Sequence, residues 1–143
     1  MKSALAEIKN APIFEMAVNE ILAHTDEYDV AELILPAREK GLFQRCAFII
    51  SKMPIDFIAK HAVELMEWFQ DLNWPGAALI QQRLILFSKT EMLAAIVNRM
   101  VRSLSILADD VWLNSIKGLE QNANLKTLLC KDVVDILEKL DNA

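Results

Sequence analysis

Glycine and proline are scarce in this chain, with three glycines and four prolines among 143 residues. An all-β fold needs tight turns roughly every ten residues, and those turns draw on glycine and proline. The scarcity excludes that class. Cysteine is equally sparse. Cys46 and Cys130 stand alone in apolar helical contexts, which predicts two buried free thiols rather than a disulfide framework. Positive charge is in deficit, 15 Lys and Arg against 20 Asp and Glu, for a net charge of −5 and a pI near 5.0. Such a surface repels phosphate backbones and anionic lipid, so nucleic acid and membranes are excluded as expected partners. No apolar run approaches the roughly 20 residues that cross a bilayer, and Met1–Glu7 has no apolar core of signal-peptide length. A cytoplasmic protein is the expectation.

The chemistry-bearing motifs are missing too. Gly41, Gly76 and Gly118 are scattered and cannot form a phosphate-cradling loop. There is no G-x-S-x-G elbow, and neither cysteine has a histidine nearby in sequence. His24, Cys46, His61 and Cys130 contain no CxxC or HxxxH pair, the spacings that a zinc site uses. Six methionines, among them Met53, Met66, Met92 and Met100, fall on or beside apolar stripes and read as core filling. No catalytic residue, cofactor or metal site is expected, and the chain reads as non-enzymatic.

What is abundant is helix-forming sequence, 54% apolar and dominated by Leu, Ile, Ala, Glu and Lys. Residues 12–24 read as a first helix with Pro12 in its opening turn, and 28–40 as a second with a kink at Pro36. Leu42–Lys52 is a third. Residues 55–72 carry Ile58, Ala62, Leu65, Phe69 and Leu72 on one stripe and Asp56, Lys60, Glu64, Glu67 and Asp71 on the other, the pattern of a helix with one buried face. Asp56 and Lys60 are spaced to pair along that helix. Pro75 then restarts the chain as helix through residue 87, and Ser88-Lys89-Thr90-Glu91 matches a capping box before a helix over 90–107 with Leu93, Ile96, Met100, Leu104 and Leu107 on its apolar stripe. Asp109-Asp110 opens another helix ending near Gly118. A last stripe, Leu125, Leu129, Val133, Ile136 and Leu140, breaks near Lys131-Asp132. No strand is expected. Seven or eight helices on short links predict antiparallel pairs stacked as a HEAT-like or armadillo-like α-solenoid, with an irregular helical bundle as the alternative.

Glu67, Trp68, Gln70, Asp71, Asn73, Trp74 and Pro75 form a helix end, a polar link and a helix start bracketed by two tryptophans. This centre resembles an uncharacterised bacterial family of small HEAT-like domains, and a weaker likeness continues through Asp110, Trp112, Leu113 and Ile116. The resemblance spans residues 54–120. It implies an all-helical fold and brings no activity and no catalytic residue. Within one domain of 1–143, residues 1–50 are N-terminal helices that the likeness does not reach, and 121–143 form a C-terminal helical cap.

Two groups of residues are candidates for binding a partner. Glu64, Glu67 and Asp71, at i, i+3 and i+7, read as either a solvated face or an acidic ridge for docking a basic protein. Trp74 is either an interface anchor or a wedge between helices. Residues 1–40 carry eight acids against four bases, whereas 88–107 hold only Glu91 against Lys89, Arg99 and Arg102. Arg99 and Arg102 are therefore the second candidate site, too sparse a basic group for a nucleic-acid surface. The functional expectation is a protein-binding module, more specifically a bacterial immunity protein that covers a basic toxin. A small-ligand or enzymatic domain with a pocket beside 55–72 and a structural adaptor or oligomer scaffold are the alternatives.

Overall fold

The computed structural model describes residues 1–35 and 39–142, and its fold is all-α. Nine α-helices occur among the described residues: α1 (Ala4–Asn10), α2 (Phe14–Ala23), α3 (Phe43–Ser51), α4 (Ile55–Leu65), α5 (Ala77–Ile85), α6 (Thr90–Ile106), α7 (Asp110–Lys117), α8 (Ala123–Leu128) and α9 (Lys131–Lys139). Short 3₁₀ turns join several of them. One apolar cluster runs from Ala4 and Ile8 to Val133 and Leu137, so the N-terminal helices and the C-terminal ones share a core.

α6 is the axis of the C-terminal half. Its 17 residues bury Leu93, Ala94, Val97, Val101 and Leu104, and α4, α7, α8 and α9 all pack against it. Spacings of three and four residues keep those side chains on one face. The stripe stops at Leu104, because Leu107, expected on it, lies past the last helical turn and is exposed. Asp109 and Asn122 supply the caps that the chain needs at tight corners. The Asp109 carboxylate accepts from the Trp112 N–H at 3.1 Å, and Asn122 Oδ1 accepts from the Leu125 N–H at 3.1 Å.

Where the expected helix over 55–72 should have continued, the chain tightens. α4 ends at Leu65 and a 3₁₀ turn, Met66–Gln70, follows. Three residues per turn align i with i+3. Met66 and Phe69 therefore both face the core with Trp68, while Glu67 and Gln70 face solvent. The 3.6-residue period predicts the right buried residues but not the change of pitch.

Several other expectations are corrected. A two-residue parallel pairing joins β1 (Lys2–Ser3) to β2 (Tyr28–Asp29), too short to leave a sequence period. α1 precedes the expected first helix, started by the Ser3 hydroxyl accepting from the Ala6 N–H at 3.1 Å; Pro12 lies outside α2. Residues 28–35 do not form the expected helix. Their backbone pairs through β2 and then makes a 3₁₀ turn, Val30–Leu33, while Pro36 lies outside the described residues. Pro75 sits in a turn, and α5 begins two residues later, after Gly76. The capping box before α6 is not made: the first helical residue is Thr90, which puts Lys89 rather than Ser88 at the cap position. Asp56 pairs across the fold with Lys89 at 3.3 Å instead of along its own helix with Lys60. Cys46 is buried but Cys130 is exposed, since the α8–α9 break at Leu129-Cys130 turns it outward; both are free thiols.

Among the described residues two take left-handed backbone conformations, and the chain treats them oppositely. Gly76 has φ +88°, and a Cβ there would sit 2.5 Å from Ala47 Cβ and 3.0 Å from Gln44 Cα. Only glycine lets α5 start this close to α3, one of the most closely packed helix pairs in the fold. Ala108, at φ 54°, ends α6 in a Schellman arrangement, its N–H donating to Ser105 O at 3.2 Å and the Asp109 N–H to Leu104 O at 3.1 Å. That position favours glycine. Ala108→Gly is expected to raise stability by about 0.5–1 kcal/mol, the relief of left-handed strain less the added freedom of the unfolded chain. Gly76→Ala is expected to lower it by about 2–4 kcal/mol, through the same strain plus a steric clash. Urea melts of the two variants read both signs.

Candidate partner-binding face

The acidic candidates lie along α4 and the turn after it. Glu64 and Glu67 are exposed, Glu64 about one helical turn from His61 with 4.0 Å between its carboxylate and His61 Nδ1. Glu67 is held outward because its neighbours Met66 and Trp68 are fully buried. Its backbone is thereby fixed while its carboxylate stays in water. Asp71 is only half-exposed and is used locally, its Oδ1 accepting from the Asn73 N–H at 2.8 Å. That is an Asx turn in the link, not a cap on α5.

Trp74 is half-buried, its ring 5.8 Å from that of Phe43. Phe43 in turn lies 5.4 Å from Trp68, whose indole N–H donates to the Ile34 carbonyl. The third tryptophan, Trp112, donates to Met66 O at 3.1 Å. The turn that carries Glu67 is thus fastened twice, Trp68 within it donating to the Ile34 carbonyl and its own Met66 carbonyl accepting from Trp112. The two tryptophans that bracket the link share Phe43 between them. Packing between helices accounts for the inward side of Trp74, and its remaining exposed edge borders the link.

The two arginines are not equivalent. Arg99 is exposed and makes no ion pair among the described residues. Arg102 grips Asp132 with two hydrogen bonds, 2.8 Å from Nε and 3.0 Å from Nη2, and lies beside the Cys130 thiol. These contacts hold its guanidinium protonated and hold the Asp132 carboxyl below the usual carboxylate range. Arg102 is committed to fastening α9 onto α6. Asn98, one turn earlier and buried, adds a second fastener by accepting from the Cys130 N–H at 3.0 Å. Sequence reading missed both, because partners some 30 residues apart leave no local spacing.

The buried titratable groups do not converge on a reactive centre. Burial pushes the Cys46 thiol up to about 12, with Glu39 adding to the effect, so it stays protonated and inert. Burial also raises the Tyr28 hydroxyl, which donates to Glu20 at 3.2 Å. No group of three His, Cys, Asp or Glu side chains among the described residues could hold a metal ion. No helix among them is long and apolar enough to cross a membrane.

A family model described as "Domain of unknown function (DUF5071)" matches residues 43–141, and the chain belongs to that family. The match begins at the first residue of α3 and takes in the tryptophan-flanked link, extending past 54–120 on both sides. No curated protein and no solved structure matches the chain.

One pH effect follows from the neighbour of Glu64. His61 stacks on Phe57, ring centres 4.7 Å apart, and burial draws its imidazole below the ordinary value of 6.5, partly offset by Glu64. Below about pH 6.5 the unfolded chain therefore takes up a proton that the folded chain resists, and stability falls; above it both forms are neutral and the contribution vanishes. In His61→Gln the loss of urea-melt stability between about pH 6.5 and pH 5 is expected to be shallower than in the unsubstituted chain. An identical pH slope would contradict the burial argument.

Proposed function

We propose that the chain is a non-enzymatic protein-binding module whose acidic α4 face, Glu64 and Glu67 above all, docks a basic protein. The observation that carries this reading is the way Glu67 is mounted. Buried residues on both sides fix its backbone, while the carboxylate itself has no basic partner within ion-pair distance among the described residues. A rigid, unneutralised charge on a net acidic chain suits rapid electrostatic capture of a basic surface. Val63, an apolar residue 54% exposed, would add dry contact beside that face.

The more specific reading is an immunity protein that neutralises a basic toxin in the cytoplasm. Small size and acidity fit such an inhibitor. The scaffold we infer is HEAT-like: the closely packed helix pairs (α1 with α2, α3 with α5, α4 with α6, α6 with α8, α7 with α9) join elements near in sequence, as in stacked repeats. In this reading the Glu67–Pro75 link is the family's marker and serves architecture, and Trp74 contributes to binding only through its exposed edge.

The test is binding to basic proteins encoded beside this gene. Glu64→Lys with Glu67→Lys is expected to slow association about tenfold or more at low salt and to flatten its salt dependence, with the melting temperature unchanged. An unchanged association rate in the double variant, or no binding by the unsubstituted chain to any such neighbour, contradicts the proposal.

A further inference from the structure

The largest unexplained apolar exposure lies at the α6–α7 corner. Ile106 is 86% exposed, Leu107 73% and Val111 66%, three large aliphatic side chains within six residues. Scattered surface leucines need no explanation, but a contiguous group does. The corner is also held in place: Ala108 accepts a left-handed conformation and the Schellman hydrogen bonds lock the turn, so the projecting residues are preset rather than collapsed onto the protein.

Beside this knob runs a cleft of about 260 Å³ with an apolar floor of Leu113, Ile136 and Leu140 and with Ala108 at its edge. Its rim carries one charge of each sign, Asp110 from α7 and Lys139 from α9. Neither makes an ion pair among the described residues. Knob residues and cleft-lining residues alternate along 105–111, and the rim holds an acid and a base, a composition that suits a two-fold interface. In such an interface each copy presents the same patch, so the patch must complement itself in shape and in charge. A rim of a single sign would repel its own copy.

The other exposed apolar residues fit this role less well. Phe48 already carries Lys52 over its ring at 5.4 Å, and Leu86 and Leu128 are separate in sequence and element. The net charge of −5 opposes self-association in general. It is screened beyond about 10 Å at 0.1 M salt, so a locally balanced patch decides the outcome.

We infer that the α6–α7 corner is a homodimer interface, in which Leu107 and Ile106 of one copy enter the Leu113–Ile136–Leu140 cleft of the other while Asp110 pairs with the second copy's Lys139. The inference stands apart from any basic partner, since it uses none of the α4 residues.

Sedimentation equilibrium across micromolar concentrations tests it. The unsubstituted chain is expected to dimerise reversibly and to stop at two copies. Leu107→Glu is expected to weaken the dimer at least tenfold, with helical content and melting temperature retained. Asp110→Lys and Lys139→Asp are each expected to weaken it, and the double swap to restore it, which a merely sticky patch would not do. A monomer at every concentration, open-ended oligomers, a dimer indifferent to Leu107→Glu, or a double swap without recovery would overturn the assignment. So would capture of a different protein by the corner in place of a second copy.

Discussion

The burial of Trp68 is the interaction on which the rest of the structure depends. Its ring is fully enclosed, lies against Phe43 at the start of α3, and its indole N–H donates to the Ile34 carbonyl. One side chain thereby joins the end of the N-terminal segment, the first helix of the family-matched region and the turn after α4. Removing a tryptophan's apolar surface from water is worth about 4–6 kcal/mol at 25 cal/mol per Å². Losing the hydrogen bond would take a donor away from the buried Ile34 carbonyl, at a cost of about 0.5–1.5 kcal/mol. These are large fractions of the few kcal/mol that separate folded from unfolded domains.

The consequences run outward from there. With Trp68, Met66 and Phe69 pinned inside by a 3₁₀ pitch, Glu67 and Gln70 have no direction but outward. With Phe43 held by Trp68, the half-buried Trp74 has a ring to lean on, and the chain turns through Gly76 close enough to α3 to exclude any Cβ. α6 plays the matching part in the other half, where Asn98 and Arg102 fasten the start of α9 and set the cleft beside the α6–α7 corner. The two surfaces proposed for binding use different side chains, and Trp112 of α7 ties the corner to the turn that carries Glu67.

How much of this was legible beforehand depended on the range of the interaction. The long amphipathic stripes of α4 and α6 show in the sequence because burial repeats every three or four residues there. The break expected near Lys131-Asp132 falls two residues earlier, at Leu129-Cys130 between α8 and α9. Features set by contacts distant in the chain were not visible: β1 with β2, Asp56 with Lys89, Arg102 with Asp132. The capping box at Ser88 failed because its pattern is local and the helix register is tertiary. For the candidate site, the outward face of Glu64 and Glu67 was readable as periodicity. The commitment of Arg102 was not, since its partner Asp132 lies 30 residues away, where spacing reveals nothing. The exposed corner was misread outright, because Leu107 continues the apolar stripe of α6 in sequence but falls beyond its last turn in space.

The central claim is that Trp68 ties the N-terminal segment to the family-matched core. Native-state hydrogen exchange on Trp68→Phe, which keeps an aromatic ring and deletes the donor to Ile34, tests it most directly. The account predicts that amides of α1, α2 and the Val30–Leu33 turn lose protection by more than those of α6 and α9. Uniform loss across all helices, or unchanged protection before residue 35, would contradict it.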